Sequence, residues 1–173
     1  MMDFLQGKRL GHPLHPILVH VPTALWPAAL VFDLLSRFGV GGNAMVRTAS
    51  YAILVGLVVA VAAVPAGIAD WSGIKRERPA WKIGLVHMIL NVGVIILWTV
   101  NLILRWESVD DAQAVDTIPL LLSVAATLVL LVSGYLGGRL VYEYGISVAR
   151  NSKEKWRRIA EAGGAKVPSP EEG

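Results

Sequence analysis

Hydrophobic positions gather into four long runs, Ile17 to Phe38, Thr48 to Ala69, Ile83 to Leu104 and Thr117 to Gly138. At a rise of about 1.5 Å per residue each is long enough to cross a hydrocarbon layer of roughly 30 Å. Within the later runs, seams made mainly of small or polar residues recur at alternating steps of four and three. They are Gly56, Ala60, Ala63, Gly67 and Asp70 in the second, His87, Asn91, Val94, Trp98 and Asn101 in the third, and Ser123, Thr127, Leu130, Gly134 and Gly137 in the fourth. That period places each set on one helical face. Imidazole and amide groups facing acyl chains would lack hydrogen-bond partners, so the seams must face one another. The pattern predicts an all-α integral membrane protein, an antiparallel four-helix bundle.

The first run follows a different logic. Pro13 and Pro16 bias His12 and His15 toward extended backbone, which predicts a helix that begins at Pro16 with His20 about one turn inside. Pro22 and Pro27 predict a kinked helix packed against its neighbours. Asp33 and Arg37 stand four apart with the acid first, the favourable order for an ion pair along one helix. The connection Gly39 to Asn43 suits only antiparallel neighbours. No internal repeat is visible. The expected organisation is a four-span domain over residues 1–145 and a basic tail over 146–173, within which Gly145 to Ala162 predicts an interfacial helix.

Composition sharpens this picture. Hydrophobic residues make up 54% and charged residues 17% of the chain, outside the ordinary soluble range. There is no cysteine, which excludes disulfides, thiolate metal sites and covalently attached haem. On a four-span model thirteen lysines and arginines fall on one side and Arg37, Arg47 and Arg105 on the other. The positive-inside rule then puts both termini, and the basic connection Asp70 to Pro79, on the cytoplasmic side. Trp71 and Trp81 flank that connection as expected headgroup anchors. The basic residues mark a membrane side, and no nucleic-acid motif accompanies them.

The chemistry is concentrated in four histidines, His12, His15, His20 and His87. Ionisable groups inside apolar runs are costly and call for a purpose. His20 and His87 lie at similar depth near the cytoplasmic ends of the first and third helices of the bundle, which suits axial ligation of a non-covalent haem b between those helices. Asn91 and Trp98 would stand beside it. The competing view is a neutral, hydrogen-bonded structural network. His12 and His15, with His20 and His87, also form a candidate set for copper or zinc.

The segments Gly11-His12-Pro13-Leu14-His15-Pro16-Ile17-Leu18-Val19-His20-Val21-Pro22, Gly67-Ile68-Ala69-Asp70-Trp71, Leu85-Val86-His87-Met88-Ile89-Leu90-Asn91 and Ser133-Gly134-Tyr135-Leu136-Gly137-Gly138-Arg139-Leu140-Val141-Tyr142 together resemble bacterial membrane proteins of the domain of unknown function 2231 family, over about residues 10 to 148. The resemblance implies a four-helix membrane domain and brings no agreed activity. Relatives joined to redox domains favour electron transfer. The expectation is therefore an electron carrier rather than a stand-alone enzyme, with the lipid bilayer and a redox protein or larger membrane complex as partners. The alternatives are a structural or regulatory subunit without cofactor, or a metal or proton transporter.

Overall fold

The structure is a computed structural model that describes Phe4, residues 13–148 and residues 153–165. Its helices are α1 (Leu14–Arg37), α2 (Asn43–Ser72), α3 (Pro79–Trp106), α4 (Thr117–Tyr142) and a short α5 (Lys153–Ala162). The first four are long and apolar enough to cross a membrane. Their outward surface is apolar too, with Val58, Ile103, Leu121 and Leu131 among its exposed side chains. A surface of that kind is at home only in lipid.

Helix α1 begins two residues before the predicted start, capped by an extended Pro13, so that His15 and Pro16 belong to its first turn. A first-turn proline gives up an N–H that has no intrahelical acceptor anyway, which is why Pro16 is tolerated there. The helix continues through Pro22 and Pro27 to Arg37. The turn to α2 uses Gly39, Gly41 and Gly42 at positive φ.

Neighbouring helices pack as α1 on α2, α3 on α4, α2 on α3 and α1 on α4. This is an up-down-up-down ring in which α1 and α3 stand diagonally. Trp26 and Trp98 reach across the diagonal and stack with centroids 5.9 Å apart, at the centre of a core that includes Ala29, Ile53, Val94 and Ala126. At the turn between α2 and α3, Trp71 and Trp81 are more than headgroup anchors. Their rings lie 5.0 Å apart and the Trp71 indole donates to the Trp81 carbonyl, clasping the two helices.

The two hairpins, α1–α2 and α3–α4, share one design. The buried Pro22, Trp26, Ala29 and Asp33 of α1 stand 72 residues before the buried Val94, Trp98, Asn101 and Arg105 of α3. The buried Ala49, Ile53, Gly56, Leu57, Ala60 and Ala63 of α2 stand 70 residues before the buried Pro119, Ser123, Ala126, Thr127, Leu130 and Ser133 of α4. His15, Ile17, Leu18, Trp26 and Leu30 are matched by identical residues at 87, 89, 90, 98 and 102. The chain therefore does contain an internal repeat. It escapes sequence inspection because the matched core positions are mostly unlike in residue type, and only burial reveals them. The ring of contacts is that of an approximate two-fold about the bundle axis, which runs between α1 and α3. In the fourth helix the buried stripe passes through Ser133 and leaves Gly134 exposed.

Candidate functional site

Two polar nodes lie along the face that α1 and α3 turn to each other. His15, Trp26 and Asp33 are separated by 11 and 7 residues, and so are His87, Trp98 and Arg105. Eighteen residues are five whole turns of an α-helix, so each set falls on a single stripe.

At one end, Arg105 clamps Asp33 with two parallel bonds of 2.8 Å, both side chains being at most 2% exposed. The Ser123 hydroxyl donates to the same carboxylate at 2.7 Å, and the Arg105 Nε–H donates to Asn101 Oδ1 at 2.8 Å. Asn101 in turn donates to Ser123 Oγ and to the Pro119 carbonyl. A buried ion pair is tolerable only when its remaining hydrogen-bonding capacity is met, and here it is. The expected Asp33–Arg37 pair along α1 does not form. Arg37 instead donates to the Val115 carbonyl and to Thr117 Oγ1, because Asp33 faces the axis and Arg37 lies about 40° further round the helix.

The other node holds His15 and His87. The His15 Nδ1–H donates to the Ala63 carbonyl at 3.2 Å, and the His87 Nδ1–H donates to the Ser133 carbonyl at 2.8 Å. A carbonyl can only accept, so both imidazoles carry a proton on Nδ1, and in the neutral tautomer that this selects the lone pair is at Nε2. Each ring lies against a glycine one turn further along the neighbouring helix. A Cβ on Gly67 would come within 2.8 Å of His15 Cε1, and one on Gly137 within 3.0 Å of His87 Cε1. Both rings lie on the axis-facing stripes of α1 and α3, near the ends of those helices that adjoin the α2–α3 connection. The Asp70 carboxylate accepts from Ser147 at 2.9 Å. The halves differ in one respect: Asn91 Nδ2 donates to His87 Nε2 at 3.1 Å and to the His87 carbonyl at 2.9 Å, and the matching position in α1 is Val19.

The structure thus gives His87 a counterpart in His15, at the equivalent position of the first hairpin and with the equivalent bond. The expected partner, His20, is exposed and its Nδ1 approaches the carbonyl of Pro16 in its own helix. Five residues turn an α-helix by about 140°, so His20 cannot share the stripe of His15. Trp98 is a fully buried core residue stacked on Trp26, and Asn91 is the hydrogen-bond partner of His87. His12 lies outside the described residues. Among the described residues no group of three or more His, Cys, Asp or Glu side chains is placed to hold a metal ion. Arg105, which the charge count assigns only to the outer side of the membrane, is buried, and its spacing of seven from Trp98 is the signal that puts it on the interior seam.

Basic side chains crowd the histidine end of the bundle. Arg76 sits 6.0 Å over the Trp81 ring, and Lys75, Arg78 and Lys82 are exposed beside it. Arg139 forms a bidentate pair with Glu143 at 2.9 Å, and this hydrogen bonding holds the Glu143 carboxyl below its ordinary value.

No curated protein and no solved structure matches this chain. A family model does, across residues 11–150. With four apolar helices and a match over most of its length, the chain belongs to DUF2231, a family described as predicted membrane proteins.

Proposed function

We propose that this protein is a membrane electron carrier in which His15 and His87, from diagonal helices, hold one b-type haem at the basic end of the bundle. One observation carries the reading. Two imidazoles occupy equivalent positions of the two hairpins, and each is oriented by an Nδ1–H bond to a backbone carbonyl of the neighbouring helix. That second bond is the usual companion of a ligating histidine, since it fixes the tautomer and aims Nε2. When bound, the haem supplies one-electron chemistry and four of its own iron ligands. A group that brings its own equatorial nitrogens suits a node with two histidines better than a bare zinc or copper ion, which draws three or four ligands from protein.

The rest of the node fits. Gly67 and Gly137 leave the rings room, and Lys75, Arg76, Arg78 and Lys82, exposed at the same end, would meet propionates. Asn91 would release Nε2 of His87 while keeping its bond to the His87 carbonyl. In this reading the basic end faces the cytoplasm of a bacterial inner membrane, with both termini on that side, and the partner is a redox protein or a larger membrane complex.

A second reading has one observation in its favour. The Asn91 amide already satisfies His87 Nε2, as a purely structural polar network would. The test is the reduced-minus-oxidised spectrum of protein purified after expression with ample haem. The haem reading expects a low-spin b-type spectrum that His15→Ala and His87→Ala abolish and His20→Ala leaves intact. Wild-type protein without Soret absorption would overturn it and leave the structural network.

A further inference from the structure

Asp33 and Arg105 stand at equivalent positions of the two hairpins and are bonded to each other. A contact between equivalent positions lies on the two-fold, as does the Trp26–Trp98 stack. The same places in a pair of identical hairpins would therefore hold two identical residues. Two copies of α1–α2 would set Asp33 against Asp33, and two copies of α3–α4 would set Arg105 against Arg105. The second arrangement buries two fixed positive charges without a counter-ion, because arginine does not give up its proton in a protein. The first buries two carboxylates of which one must take up a proton. Elsewhere along the axis like pairing carries no such penalty. Trp26 against Trp26 repeats an indole stack, and Ala29 or Pro22 against itself is apolar.

We propose that the inner face of each hairpin is an interaction surface built to receive a second hairpin of the same design, and that the axial Asp33–Arg105 pair selects the unlike partner. The bundle is in these terms a fused dimer. The ion pair contributes discrimination rather than net stability, as expected of a charge pair whose apolar replacement is often neutral. Opposite charges at matched positions also accord with Ser123 and Asn101, which serve the pair on the second hairpin, having the apolar Ile53 and Ala29 as their counterparts in the first.

The test starts from the full chain with a protease site inserted between Glu77 and Arg78, in the connection between the hairpins. Two preparations tagged differently at their C-termini are cut while folded, mixed, taken apart in sodium dodecyl sulfate and returned to mild detergent. The amount of second hairpin captured with the differently tagged second hairpin is then measured. In the wild-type background such like pairs stay at background and the unlike pair re-forms. In Asp33→Leu/Arg105→Leu the uncut protein remains folded, and second-hairpin pairs carrying both tags rise to about one in eight of the recovered complexes, the statistical share when partners are not discriminated. Like pairs as abundant in the wild type as in the double variant would overturn the proposal. So would a double variant that re-forms only unlike pairs, or wild-type hairpins that do not re-form their pair at all.

Discussion

The indole N–H of Trp26 donates to the Ile53 carbonyl at 3.4 Å, whereas that of Trp98, stacked upon it, is buried with no acceptor among the described residues. The two tryptophans are equivalent, so the difference has a local cause. The acceptor corresponding to Ile53 is the Ser123 carbonyl, and the Thr127 hydroxyl occupies it at 2.7 Å. Leu57, which matches Thr127 in the first hairpin, has no hydroxyl to compete.

Trp26→Phe and Trp98→Phe remove the same volume from matched sites and differ only in the fate of one N–H. Trp26→Phe should cost about 1 kcal/mol more than Trp98→Phe, because the first loses a bond and the second loses an unsatisfied donor. Unfolding in mixed micelles measures the difference. Equal losses would mean that Trp98 finds an acceptor in the membrane.

Gly67→Ala and Gly137→Ala should each destabilise by about 1–3 kcal/mol, since a methyl group meets the imidazole of His15 or His87 in a packed interior. Gly134→Ala is the control, for nothing lies within 4 Å of a Cβ at that position. It should melt at or above the wild-type temperature. If the haem reading holds, the first two also weaken the Soret band and the third does not.

Arg105→Leu strands the Asp33 carboxylate in an apolar interior and should cost about 3–5 kcal/mol. Asp33→Leu/Arg105→Leu should regain most of that loss. A double variant no better than the single one would show that the pair itself, and not its unpaired remnant, holds the helices.

A cytoplasm-active reporter fused after Gly173 should be active and one in the Gly39 to Asn43 turn silent, given the thirteen-to-three division of basic residues between the two ends. The reverse activities would invert the orientation and put the histidine node at the outer leaflet.

The four spans and the inward seam of α3 were legible because lipid imposes one rule on every exposed backbone and side chain, and His87, Asn91, Val94, Trp98 and Asn101 obey it at a clean helical period. The inner face of α1 was not legible. Its two internal prolines and the exposed His20 break the period, and His20 lies deeper in the apolar run than His15, which draws attention to an imidazole off the axial stripe. The Asp33–Arg105 pair was hidden for another reason. Asp33 has an arginine four residues away on its own helix, while its true partner is 72 residues distant and becomes visible only once α1 and α3 are set diagonally. Sequence similarity between the hairpins is thin because a helix core preserves size and burial more strictly than residue type.

The axial stack also bears on permeation. An indole pair and a bidentate ion pair follow one another along the line where a water file would have to run, and both are closed to solvent. An ion moving down the bundle would have to part Trp26 from Trp98 and break Arg105 from Asp33 within a few turns of helix. The interior is therefore a barrier in series rather than a conduit, and any proton or ligand bound for His15 and His87 must arrive from the basic end or sideways from the bilayer.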